Sequence, residues 1–168
     1  MKSQIRTLSH PFPLLYDSHS KVLILGSFPS VKAVADGYYY ANPNNRFYKV
    51  LSSIFAVDFV NVSWEEKKAL LLAKKIALHD AIGYCQILGS SDSKISDVKP
   101  SNIREIFANA KIELVICNGA KAYQEYMRFF SDINIYVVQA PSTSPANATM
   151  RLDDLVASWS KLLRPFQR

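Results

Sequence analysis

The 168 residues, 49% of them apolar and with a net charge of +6, are enough for one domain (1–168) with a sizeable core and a surface suited to a polyanion. No apolar run approaches the roughly 20 residues that cross a bilayer, and the opening "MKSQIRTLSHPFPLLY" lacks the apolar centre of a secretory signal, so a cytoplasmic protein with no membrane partner is expected. Two distant cysteines, Cys85 and Cys117, read as buried reduced thiols, and three scattered histidines show no metal or triad spacing, so neither a metal nor a cofactor is expected.

"KVLILGS" (21–27) is a short apolar run ending at Gly26, which predicts a buried strand of a parallel sheet. A tyrosine-rich loop, "GYYYANPNNRFYKVL", follows. Pro43 suits the first turn of a helix, along which Phe47, Val50, Leu51 and Ile54 share one face. Ser63 and Glu66 have capping-box spacing for a helix over 64–76. "LHDAIGYCQILGSSDSKISDVKPSN" is polar and serine-rich. It predicts a long, partly structured loop, with room for a further strand near "LHDAIGYC". Asn102 and Glu105 can box the short helix "IREIFANA". "IELVICNGA" is a second strand followed at once by a helix, and "INIYVVQAP" a third, stopped by Pro141. Asn147 can cap a final helix over 148–163.

Strands alternating with helices give an α/β fold, a three-layer α/β/α sandwich around a short central parallel sheet. Ligands of such sheets bind outside the carboxyl ends of the strands. Those ends carry "GSFPS", "CNGAKAY" and "APSTSPAN", so the candidate residues gather at one rim.

Gly26 permits either a positive φ or a close approach of backbone. The N–H groups of the turn through Ser27 and Phe28 can meet a phosphate or a base carbonyl, or the turn can be an ordinary one. Phe47 and Tyr48 read as helix packing. Core packing has no evident use for all of Tyr38, Tyr39 and Tyr40, and a ring laid over a nucleobase contributes about 1–3 kcal/mol. Asn42 or Asn44 can cap the helix. Asn45, one position further in, is less needed as a cap, and its amide can hold a water or read a base edge. Arg46 is expected to face solvent or phosphate. Ser142, Thr143 and Ser144 suit a DNA phosphate as well as turn chemistry. His79 either sits at the core edge or lines the cleft.

The segments "GSFPS", "YANPNNRFY" and "APSTSP", in this order, resemble the uracil-DNA glycosylase superfamily. The likeness is nearest to the hypoxanthine-DNA glycosylases and the mismatch-specific uracil/thymine branch, and it covers most of the chain. The middle segment is the specific one. Phe28 stands where the mismatch-specific branch has a water-positioning Asn, Asn42 replaces its His, and Ala140 replaces the Asn that opens its late motif. The resemblance implies a uracil-DNA glycosylase-like fold and metal-free hydrolysis of a deaminated base, hypoxanthine first and uracil second. It implies Asn45 as the catalytic residue. Gly26, Ser27, Phe28, Tyr40 and Asn42 would be around the base, with Tyr40 stacked on it. Arg46, Ser142, Thr143, Ser144 and Pro145 would be on the DNA, with Pro145 as the wedge. DNA holding a deaminated or mismatched base is the expected partner of a monomer. The departures at Phe28 and Ala140 leave an inactive DNA- or nucleotide-binding module as the alternative.

Overall fold

A computed structural model of the chain describes residues 5–88 and 95–166. The elements run β1 (Ile5–Ser9), β2 (Val22–Gly26), α1 (Val31–Asp36), α2 (Phe47–Phe55), α3 (Trp64–Ala73), β3 (Ile76–Asp80), β4 (Ile82–Leu88), β5 (Ile95–Pro100), α4 (Arg104–Asn109), β6 (Leu114–Asn118), α5 (Ala120–Phe130), β7 (Tyr136–Ala140) and α6 (Leu152–Leu163). Strands β3-β2-β6-β7 form a parallel sheet in that order.

Alternate residues of these strands feed two cores, because successive side chains leave opposite faces. Val22, Ile24, Ile76, Leu78 and Ile116 pack with Phe47 and Leu51 of α2, Leu71 of α3, and Leu155 and Trp159 of α6. Leu23, Leu25, Ala77, Val115 and Cys117 pack with Ile106 of α4 and with Tyr126 and Phe130 of α5. Helices on both faces of a parallel sheet make the expected three-layer sandwich. Among the described residues, no helix is long and apolar enough to cross a membrane.

The polar stretch after α3 is not the loop its composition predicts. Its start is the fourth parallel strand, β3, and most of the rest is a hairpin. β4 pairs antiparallel with both β1 and β5 in a second sheet. The serine-rich part that suggested a loop falls at 89–94, which lies outside the described residues.

Several helix starts also differ. α2 begins at Phe47, because residues 42–46 form a turn closed by Asn42. The Asn42 carbonyl accepts from Asn45 N–H at 2.9 Å and its Oδ1 accepts from Asn44 N–H at 2.9 Å. α6 begins at Leu152, where the Asp154 carboxylate accepts from Arg151 N–H, while Asn147 turns to the Ser142 carbonyl instead of capping. At α4, Asn102 offers Glu105 N–H its backbone carbonyl and not its side chain. Ser63 does cap α3, accepting from Glu66 N–H at 3.2 Å.

Candidate active site

β2, β3, β6 and β7 end at Gly26, Asp80, Asn118 and Ala140. The register pairs Gly26 with Asp80 and Asn118 with Ala140, so all four ends open on one rim. The sheet grows from β2 toward β3 and then switches to β6 on the other side, which makes the crevice between β2 and β6 the topological switch point. There a cavity of about 180 Å3 is lined by residues 26–30, Tyr39, Tyr40, Asn42, Asn45, Asp80, Asn118 and residues 142–144. A larger groove of about 430 Å3 shares Ser27, Phe28 and Pro29, but Leu8, Pro11, Val31, Val34, Ile87 and Ile95 make its walls mainly apolar. The convergent polar groups are in the smaller cavity.

Gly26 serves close approach. A Cβ there would stand 2.3 Å from Asp80 Oδ1 and 3.2 Å from Tyr40 Oη. Asp80, 4% exposed, takes a 2.7 Å hydrogen bond from His10 Nε2 on Oδ2. With its proton on Nε2, His10 accepts the Phe12 N–H on Nδ1 at 3.2 Å. That leaves Asp80 Oδ1 beside Gly26 with no hydrogen bond among the described residues.

Asn45 lies just before the N-cap of α2, Arg46, and still holds the first N–H of the helix. Its Oδ1 accepts from Phe47 N–H at 3.0 Å and from the Thr143 hydroxyl at 2.8 Å. Thr143 is wholly buried, and its Oγ1 accepts in turn from Asn118 Nδ2 at 3.0 Å. Thr143 N–H donates to Asn118 Oδ1 at 3.0 Å, and the Thr143 carbonyl accepts from Arg46 N–H at 3.0 Å. Burial corrects the expectation that Thr143 meets a phosphate. Arg46 is corrected too. Its guanidinium donates to the carbonyls of Ser144 (3.2 Å), Asn147 (3.0 Å) and Met150, so it braces the loop after β7 instead of facing phosphate. Ser142 and Ser144 border the cavity on that loop, and Pro145 is exposed beside them.

The core does use all three tyrosines. Tyr38 stacks on Trp64 with centroids 5.3 Å apart and an interplanar angle of 19°. Tyr39 donates to the Pro13 carbonyl at 2.8 Å and accepts from His79 Nδ1 at 2.6 Å. His79 is therefore a core residue and does not line the cavity. Burial first, and the neighbouring His10 second, lower its pKa to about 3, so it is neutral. Tyr40, at φ 56°, lies against Phe47 with centroids 4.1 Å apart. Burial and then the Asp80 charge raise its phenol pKa, and Asn118 opposes the shift. One Asn118 Nδ2–H goes to Thr143, and Tyr40 Oη is buried with no partner at hydrogen-bond geometry among the described residues. A buried unsatisfied hydroxyl costs about 1–3 kcal/mol. Tyr40→Phe is therefore expected to raise unfolding stability by about 1 kcal/mol in urea titration, and a loss of stability would show that the hydroxyl has a partner.

Sequence reasoning missed Asp80, Asn118 and His10. Asp80 and Asn118 are the last residues of their strands, and that position was the available signal. His10 carries none, because it is the β1–β4 pairing, unseen in the sequence, that brings it beside Asp80. Phe28 occupies the turn as expected, with its ring edge-on to His10 at 5.8 Å. Among the described residues, no group of three or more His, Cys, Asp and Glu side chains is arranged to hold a metal ion.

This arrangement agrees with the chain's similarities. A family model described as the Uracil DNA glycosylase superfamily matches residues 12–163. A Methanosarcina acetivorans protein named hypoxanthine DNA glycosylase is 32% identical over 139 residues, covering 81% of this chain and 86% of that protein. A Methanosarcina barkeri protein of the same name is 30% identical over 122 residues, covering 70% and 76%. The solution NMR structure of a candidate uracil DNA glycosylase from Methanosarcina acetivorans superposes with a TM-score of 0.83. It is 27% identical and covers 98% of this chain and 100% of that one. With a family match across most of its length and the polar cavity at the sheet's switch point, the chain belongs to the uracil DNA glycosylase superfamily.

Proposed function

We propose that the protein is a monofunctional DNA glycosylase. It hydrolyses the N-glycosidic bond of a deaminated base, hypoxanthine first and uracil second, and works as a cytoplasmic monomer. The names of its relatives support the substrate class. The observation that carries the reading is a pair of unused hydrogen-bonding groups in one cavity. Asp80 Oδ1 is an acceptor, and the Asn45 Nδ2–H pair, which has no partner among the described residues, is a donor.

Deamination gives a base the matching edge. It replaces an exocyclic amine by a carbonyl and turns the neighbouring ring nitrogen from an acceptor into an N–H donor. A carboxylate accepts that N–H, and an amide donates to a carbonyl. Adenine and cytosine would set a ring lone pair against the carboxylate instead. As the glycosidic bond breaks, electron density moves onto the base, and a fixed N–H donor stabilises it.

The nucleotide must first leave the stack, at a cost of a few kcal/mol that a damaged or mispaired base reduces. Tyr40, backed by Phe47, supplies the ring for stacking, with Gly26, Ser27, Phe28 and Asn42 around it. Ser142 and Ser144 take the backbone, and Pro145 stands at the tip of their loop as the wedge. Among the described residues no lysine lines the cavity, which supports a reaction that ends at an abasic site without strand cleavage.

The reading is tested with oligonucleotides carrying a single hypoxanthine, uracil, xanthine, thymine mismatch or 1-methylhypoxanthine. Hypoxanthine should be released fastest. The methylated base has no N1–H and should be slower by at least about 10²-fold, because a site built for a hydrogen bond rejects the analogue that lacks it. Equal release of the methylated base would remove Asp80 from base reading.

A further inference from the structure

We infer that Thr143 and Asn118 are positioning residues that lock the Asn45 amide in one of its two flip states, so that Asn45 meets substrate only as a hydrogen-bond donor. The inference rests on the glycosylase reading of this cavity. It assigns a role to Asn118 at the end of β6 and to Thr143 in the loop after β7.

An Asn amide can be turned by half a revolution, which exchanges its acceptor oxygen for its donor nitrogen. At Asn45 the surroundings remove that freedom. Phe47 N–H is a donor and nothing else, and it is 3.0 Å from Oδ1. The Thr143 hydroxyl, 2.8 Å from the same oxygen, can in principle donate or accept. Its direction is fixed from the other side, because Asn118 Nδ2 donates to Thr143 Oγ1 at 3.0 Å. Asn118 is itself fixed, because Thr143 N–H donates to its Oδ1 at 3.0 Å. One backbone N–H therefore orients Asn118, Asn118 orients the Thr143 hydroxyl, and that hydroxyl orients Asn45.

The consequence is chemical. Both acceptor directions of Asn45 Oδ1 are occupied, so it cannot take a proton from an attacking water. The groups without a partner among the described residues are the two N–H donors of Asn45, a residue that lines the cavity. Asn45 then acts on the charge that develops on the leaving base, or on a carbonyl or water oxygen, and never as an acceptor.

The residues permit a reversal of the relay. Asn118→Asp keeps an oxygen for Thr143 N–H but replaces the donor by a second acceptor. The Thr143 proton then turns toward residue 118 and leaves Asn45. Thr143→Val removes the hydroxyl at nearly the same volume. Thr143→Ser keeps it.

The experiment measures single-turnover release of hypoxanthine, DNA affinity, and the side-chain amide resonances of Asn45 in 15N-labelled protein without DNA. Thr143→Val and Asn118→Asp are each expected to lower the release rate about 10- to 100-fold, since misplacing a reacting group by about 1 Å can cost about 10²-fold. DNA affinity should hold within a few fold, and the Asn45 amide resonances should move. Thr143→Ser should restore both rate and resonances. A folded Thr143→Val protein with wild-type rate and unmoved Asn45 resonances would overturn the inference, as would a Ser variant as slow as the Val variant. If the wild type released no base at all, the functional reading would fail, and the resonances would still decide whether the relay exists.

Discussion

Asn45→Ala should slow base release by about 10²–10³, equivalent to about 2.7–4 kcal/mol, the range found when a fixed donor to developing charge is removed. DNA affinity should stay within a few fold. The Ala variant also loses the cap on Phe47 N–H and strands the Thr143 hydroxyl, so its stability should fall by about 1–2 kcal/mol. Asn45→Asp separates the two effects. A carboxylate still accepts from Phe47 N–H and from Thr143, so the fold is kept, but it has no N–H to offer. Its release rate should be as poor as that of Ala, with stability closer to wild type. Single-turnover kinetics beside urea titration checks both. A folded Asn45→Asp protein with wild-type release would mean that the amide donor has no part in catalysis.

Acid should weaken the fold through His79. The unfolded chain protonates this ring near pH 6.5, whereas the folded protein keeps it neutral down to about 3. The native pKa is lowered, so below pH 6.5 the unfolded state binds the extra proton. Stability is then complete above about pH 6.5 and declines as the pH falls toward 3, by about 1.4 kcal/mol per pH unit. From pH 6.5 to pH 4.5 the His79 share is roughly 2–3 kcal/mol. His79→Gln keeps a donor for Tyr39 and does not titrate. Its unfolding free energy, measured in urea at several pH values, should fall less steeply than that of wild type. Parallel pH dependences would show that His79 is not the titrating group.

Periodicity was enough for three of the four parallel strands, β2, β6 and β7, and for most of the helices, because strands buried on both faces read as continuous apolar runs and amphipathic helices as stripes, but the helix pattern of α3 ran on into β3. It was not enough for β4 and β5. Those strands are partly exposed, and the serine-rich segment between them dominates the local composition. The loss matters for the site, since β3 delivers Asp80 and β4 holds β1, from whose end His10 reaches it. The position of Asn45 at the cavity was legible from its motif and its place near a helix start. The direction of its amide was not, because that depends on Thr143 and Asn118, 98 and 73 positions away in the chain. Arg46 was misread for the same reason. A guanidinium looks available to phosphate until the loop carbonyls that occupy it are seen.

The central claim is hydrolysis of a base–sugar bond in DNA, and the most direct measurement of it is the release of free hypoxanthine. A duplex with one deoxyinosine is incubated with excess protein, and the base and the strand are followed separately. The expected result is one free hypoxanthine per duplex and an unbroken abasic strand that alkali then cleaves. Tight binding with no free base would contradict the claim and make the chain a DNA-binding module with a glycosylase-like fold.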